Sequence, residues 1–328
     1  MAAFEIKKTS IDGFDVIELF SEDQSAHIVL DIGNTLYNWT WKGKQILWFP
    51  YSLDSYLSSE KLAGIPFMYP WANRLSSDIL NLDGEEHPLT ANALYRDSNE
   101  LPMHGLLLKS GRWVTKDMGV DDFGAWHTAQ YESTDMSEII EQFPFIHTLE
   151  MTHRLDNDGI EVNLKVINLD EKKLPLSFGF HPYFNCENYQ REEILVNIPF
   201  QNHVETDKFL LPTGEFHDIG DFITEGTFQL KKLFLDDGFV NRISGEHPFF
   251  ETNDYKVEVV FDDEYKCCVV YAPTSEDKKY LCIEPMVVPT NSLNKVIDSI
   301  QVPEVQSNSQ RDYSFKMKIS AKDLSNNI

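Results

Sequence analysis

Four cysteines in 328 residues, Cys186, Cys267, Cys268 and Cys282, are too few and too irregularly spaced for a disulfide framework or a zinc site. Cys267 and Cys268 are adjacent, so on a strand they leave opposite faces and do not easily share a metal. All four read as reduced structural thiols. Basic residues are scarce as well: 28 lysines and arginines against 53 aspartates and glutamates give a net charge of −25. Nucleic acids and anionic membrane surfaces are bound through clustered basic side chains, so neither partner is expected, and the acidity serves solubility more than recognition. No long uncharged apolar run is available for a membrane helix, and "MAAFEIKKTSIDGFDVIELF" at the start has no apolar stretch of the signal-peptide kind. The expected location is the cytoplasm, where "NWT" at Asn38 is a chance match to a glycosylation acceptor. No glycine pattern of the dinucleotide or P-loop type follows a strand, which removes the commonest nucleotide-dependent classes.

What the chain has instead is short runs of alternating apolar and polar residues, as in "HIVLDIG", "GIEVNLKVIN" and "YKVEVVFDD". That period of two is the strand signature, and helical periods are few. A hydrophobic fraction of 42% excludes disorder as the default state. Asp158-Gly159 marks a tight hairpin, and turns are expected near Gly33, Gly84, Gly214 and Gly245. An EF-hand reading of Asp156 to Asp158 fails, because the glycine comes too early and the bidentate glutamate is missing from its place. Many short strands at such intervals favour an all-β antiparallel sandwich over an α/β fold. With no linker or break in composition, one domain over residues 1–328 is expected, its ends fraying near Met1 and after Ala321.

Five stretches carry residues with chemistry. "LSFGFHPYFN" sets His181 among aromatics and before a proline, and "YLCIEPMVVPTN" does the same for Glu284 among apolar residues. The residue before a proline is pushed towards extended backbone, so both sit on strand-like chain. Taken singly, His181 reads as a hydrogen-bonded core residue, and Glu284 as a solvated carboxylate or a partner of Lys278 or Lys279. "GIPFMYPWANRLS" is a rigid irregular segment ending in Asn73-Arg74, whose guanidinium either pairs at the surface or grips hydroxyls or a carboxylate. In "LPMHGLL", His104 precedes a glycine that permits close backbone approach. In "FLDDGFVN", Asp236 and Asp237 are expected in a turn.

Taken together, the five stretches resemble the aldose 1-epimerase family, the galactose mutarotases, across roughly His27 to Lys318, and those around Arg74, His104, His181 and Glu284 follow one another along the chain in the family's order. The resemblance implies a large antiparallel β-supersandwich with a sugar-binding cleft. It implies His181 as general acid, Glu284 as general base, and Arg74, His104 and an aspartate as hydroxyl-binding residues. Asp236 fits the family spacing before Phe239, and Asp237 is the fallback. The implied activity is interconversion of the α and β anomers of a free aldose such as galactose or glucose, without metal or cofactor, by a monomer or homodimer. After Glu-Pro the family often continues with tryptophan, whereas this chain reads Met286-Val287-Val288-Pro289, which leaves the sugar preference open.

Rival readings are weaker on the residues. A glycoside hydrolase requires two carboxylates about one sugar bond, and here the sequence offers one strong carboxylate and one strong histidine. A hexose-6-phosphate 1-epimerase wants clustered basic groups, and near the motifs only Arg74 and Arg96 stand out. A non-catalytic sugar-binding protein of the same fold has no need of both His181 and Glu284. For the pair itself, cleft carboxylates such as Asp236 are expected to outweigh desolvation and raise the histidine pKa.

Overall fold

The computed structural model describes residues 4–322 apart from 83, 91–94, 136, 224–225, 296 and 298–299. Met1 and, Lys322 aside, the tail after Ala321 lie outside the described residues, and with them the expectation about the ends. The three runs singled out by their period of two form strands Gln24–Val29, Gly159–Asn168 and Tyr255–Phe261. In the second, Ile160, Val162, Leu164 and Val166 point inward on alternate positions and are buried, which is the alternation a half-solvated strand requires.

Strands associate into three larger sheets whose ladders are antiparallel, so the expected all-β antiparallel sandwich is what forms. A five-stranded meander runs in chain order from Glu5–Ile11 to Lys44–Gln45. A nine-stranded sheet has the long strand Gln310–Ala321 near its middle, paired with Gly159–Asn168 on one side and Tyr255–Phe261 on the other. An eight-stranded sheet contains Leu235–Arg242, Cys267–Ala272 and Tyr280–Met286 side by side.

One hydrophobic cluster draws on all three sheets, including Trp39 from the meander, Phe315 from the nine-stranded sheet, and Phe180, Leu281 and Ile283 from the eight-stranded sheet. Each fully buried side chain of this kind contributes about 1.5–3 kcal/mol. Leu281 and Ile283 face this core, so the alternate residues Tyr280, Cys282 and Met286 face the other way, into a separate cluster with Tyr183, Val204 and Val269. The eight-stranded sheet therefore has a dry core face and a second face on which the chemistry is built.

Turn chemistry is mostly where glycine indicated it. Gly33, Gly84 and Gly245 have φ of +70°, +84° and +78°. The hairpin at Asp158-Gly159 is closed by the Asp156 carboxylate, which accepts from both backbone N–H groups at 2.8 and 3.1 Å. Two expectations need correction. Gly214 lies within strand Pro212–Asp218, and the turn falls earlier, where the Asp207 carboxylate accepts from the N–H groups of Phe209 and Leu211. Asp236 and Asp237 likewise lie in a strand, opposite Tyr271 and Val270. Ladder pairing with the neighbouring strand prevails over the local turn preference of an Asp-Asp-Gly sequence.

The irregular segment that follows Gly64 is held between two others. Tyr69 accepts from the N–H of Leu106 (2.7 Å), Ala72 donates to Ser177 (2.6 Å), and Asn73 accepts from His104 (2.9 Å). His104 and Gly105 both have positive φ, 63° and 77°, and a Cβ on Gly105 would overlap the backbone of Tyr69. Gly105→Ala is therefore expected to destabilise the fold by at least the 1–3 kcal/mol that left-handed strain costs. An unchanged urea midpoint in that variant would show that the close approach is dispensable.

Candidate active site

The register of the eight-stranded sheet brings the opening histidine to its carboxylate. Gly179 lies opposite Met286 and Tyr183 opposite Cys282, both antiparallel. Carrying that register between them sets His181 across from Glu284, where opposed side chains of neighbouring strands meet. Pro182 and Pro285 follow the two residues and carry no N–H for the ladder. His181 Nε2 is 3.2 Å from Glu284 Oε1, and the side chains are 6% and 2% exposed. The Tyr183 ring stacks on the imidazole at 4.4 Å between centroids and 5° between planes.

Arg74 reaches the same face from the irregular segment. Its Nε donates to Asp97 at 2.8 Å, one terminal nitrogen to the Asn73 side chain at 2.9 Å, and the other to Asp236 at 3.3 Å. The fork is thus held on three sides, and Asp236 points to it because adjacent strand residues leave opposite faces. Asp237 points away and bonds His203 at 2.8 Å. The ring of His104 stands edge-on to that of His181 at 5.3 Å and is stacked by Tyr95 at 5.8 Å. A small, narrow cleft is lined by Asn73, Arg74, Asp236, Gly238 and Val269 among others. Val269 is the ladder partner of Glu284, and Gly238 that of Val269. The cleft therefore lies beside the His181–Glu284 pair, and Gly238 keeps its floor free of a side chain.

The electrostatics differ from the sequence expectation. Burial, with a smaller contribution from Arg74, lowers the His181 pKa to about 3, whereas cleft carboxylates were expected to raise it. The cause is the near-complete removal of the ring from water. Burial, then the nearby Asp236, pushes Glu284 well above the ordinary carboxyl range, with Arg74 opposing. Burial, His181 and Arg74 hold His104 well below its usual value, so its ring is neutral. Burial also raises Asp236, against the pull of Arg74 and with the push of Asp237. Asp97 is different: burial acts upward, but the N–H groups of Leu101 and Asn99 and the Arg74 guanidinium bring it below its ordinary value. Burial thus disfavours the charged form of both partners, and three buried polar atoms of the site, His104 Nδ1, His181 Nδ1 and Glu284 Oε2, have no hydrogen-bond partner. Such orphans are costly unless a ligand meets them.

All five residues singled out, His181, Glu284, Arg74, His104 and Asp236, come together here. Neither Lys278 nor Lys279 pairs with Glu284; Lys278 donates to the Tyr271 hydroxyl at 2.9 Å. Arg96 is bound by both nitrogens to Asp78 at 3.0 and 3.1 Å and stands outside the group. Sequence reasoning missed Asp97, whose only local sign is the turn-forming "DSN", and the placement of Cys282 on the cleft face, two residues before Glu284.

The architecture is that of the galactose mutarotase-like proteins. A galactose mutarotase-like protein from Clostridium acetobutylicum superposes with a TM-score of 0.86 over 97% of this chain and 99% of its own, at 22% identity. Galactose 1-epimerase from Lactobacillus acidophilus superposes at 0.77 over 98% and 100%, at 15% identity. The uncharacterised Escherichia coli protein YihR is 23% identical over 245 residues, 70% of this chain and 72% of its own length. The chain belongs to the aldose 1-epimerase family, whose sequence pattern matches residues 15–320.

A buried carboxyl with a raised pKa costs stability once the unfolded chain can ionise. The unfolded group ionises above its ordinary value of 4.5, while burial makes the folded one give up its proton only at higher pH. Glu284→Gln is therefore expected to raise the urea midpoint at pH 8 and to leave it nearly unchanged at pH 4. An equal shift at both values would mean that Glu284 is ionised in the native protein.

Proposed function

We propose that this protein is an aldose 1-epimerase that interconverts the anomers of a free, unphosphorylated aldose in the cytoplasm, residues 1–328 acting as one domain. The observation that carries the reading is the contact between His181 and Glu284, a titratable pair beside a cleft bordered by Arg74 and Asp236. Arg74, His104 and Asp236 hold the sugar hydroxyls, so that its first carbon and ring oxygen lie between the pair. Orientation of this kind removes much of the entropic barrier.

Ring opening moves two protons. Glu284 as carboxylate takes the proton of the anomeric hydroxyl, and His181 as imidazolium gives one to the ring oxygen, which breaks the bond to the first carbon and leaves an aldehyde. Rotation about the first carbon–carbon bond and the reverse transfers close the other anomer. Each positioned transfer supplies about 10²–10⁴-fold. The neutral form of the pair, favoured by burial, is the tautomer of this charged form and is reached by moving one proton between Glu284 and His181, with no exchange with solvent. No second reading gains from the structure: both carboxylates next to Arg74 neutralise it, and Arg96 is occupied by Asp78, which disfavours a phosphorylated sugar.

Polarimetry on freshly dissolved α-glucose, α-galactose and α-xylose tests the activity directly. His181→Asn and Glu284→Gln are each expected to lower turnover by at least two orders of magnitude in folded protein, since both keep size and remove the titrating group. Near-normal turnover in either would overturn the assignment.

The pH profile separates this pair from two independent groups. Ordinary values near about 4.3 and 6.5 would confine the one-proton form to mildly acid solution. Here His181 is lowered to about 3 and Glu284 is raised, so the pair gains its second proton only in strong acid and loses its only proton well above the carboxylate range. The acid limb should lie below that of an ordinary pair, and the alkaline limb should follow the raised Glu284 carboxyl and not an ordinary histidine. A fall in rate centred near pH 6.5 would show that His181 titrates as an ordinary histidine.

A further inference from the structure

We propose that Cys282, His181 and Glu284 form a binding site for a thiophilic divalent cation of the zinc class, and that the bound cation excludes the sugar. Cys282 and Glu284 are two apart on strand Tyr280–Met286, so both side chains leave the same face. His181 comes to that face from across the ladder. A ring nitrogen of His181, the Cys282 Sγ and a carboxylate oxygen of Glu284 all lie within 4.8 Å of one another. Zinc bonds of about 2.0–2.3 Å put neighbouring tetrahedral donors roughly 3–4 Å apart. The 3.2 Å between His181 Nε2 and Glu284 Oε1 already meets that spacing, and the sulfur needs only a small approach.

A second observation points to a ligand here. Glu284 Oε2 is buried without a partner on a side chain that is 2% exposed, so the carboxylate keeps an oxygen free for a cation. One sulfur, one imidazole nitrogen and one carboxylate oxygen are the donor set that zinc or cobalt accepts and that magnesium or calcium does not favour. A dication on a thiolate, a carboxylate and a neutral imidazole gives a centre without net charge, as a site this dry requires. On ligation the thiol proton and any proton the pair carries pass to solvent, and no electron moves. The other buried cysteines lack such company: among the described residues this is the one group of three metal-ligating side chains so disposed.

Binding can be read apart from catalysis, because only the exclusion of sugar rests on the reading of His181 and Glu284 as the catalytic pair. Calorimetric titration of the full chain with zinc should give one site. Cobalt in its place should give the near-ultraviolet absorption of thiolate-to-cobalt charge transfer. Cys282→Ser should abolish that band and weaken zinc at least tenfold, Cys186→Ala should change neither, and Glu284→Gln should weaken zinc while keeping the band. On wild-type protein, zinc should slow anomerisation in competition with sugar, and EDTA should restore the rate. Absence of a saturable site, a band that survives Cys282→Ser, or zinc affinity indifferent to Glu284→Gln would overturn the site. Zinc binding with the full signature but no competition with sugar would overturn the exclusion alone.

Discussion

The contact on which the rest of the site depends is a cross-strand one: the imidazole of His181 against the carboxyl of Glu284, almost dry, on the second face of the eight-stranded sheet. Two ionisable groups in such surroundings are held there against a desolvation cost of several kcal/mol per ion if both are charged. The cost falls if the pair is neutral, and burial drives it that way, the histidine down and the glutamate up. Neutrality of the free pair is then compatible with charged chemistry, since a single internal proton shift converts one into the other. The two prolines add no donor that would compete for the pair, while Tyr183 stacks on the imidazole and sets its hydroxyl 3.4 Å from His181 Nε2.

Arg74 is the positive counterweight of this face. It is nearly buried, yet three acceptors hold its fork, so its position is set by Asp97 and Asn73 from its own side and by Asp236 from the sheet. Asp97 is itself tied by backbone N–H groups, which makes it the anchor and leaves Asp236 as the carboxylate at the cleft. The two carboxylates around one guanidinium leave a local excess of negative charge. That excess suits donors such as sugar hydroxyls and opposes an anionic substrate.

The irregular segment from Gly64 to Ser76 shows why the site is not built on strands alone. It supplies Arg74, and its backbone is fastened to residues 102–106 and to Ser177 by bonds that a regular ladder would not provide. The positive φ of His104 and Gly105 lets one strand of chain lie hard against Tyr69, which in turn carries the His104 ring to the edge of His181. Strain at these positions is concentrated where function is proposed, a pattern common in proteins whose sites are shaped at the expense of local comfort.

Much of this was legible in the amino-acid order. Alternation of apolar and polar residues dictates strands because a sheet with one wet face admits little else, and the order of the four motifs identified the family and with it the supersandwich. The residue types at positions 74, 104, 181, 236 and 284 were visible for the same reason: histidine, arginine and carboxylates among aromatics and prolines are conspicuous. Pairing was not. That His181 faces Glu284, that Asp236 and not Asp237 turns to Arg74, and that Asp97 anchors the guanidinium are matters of register between segments far apart in the chain, and local propensity carries no information about them. Nor could composition say which way the pair's pKa values move. Charge count favoured a raised histidine, but depth of burial, which exists only once the sheets have packed, decided the sign.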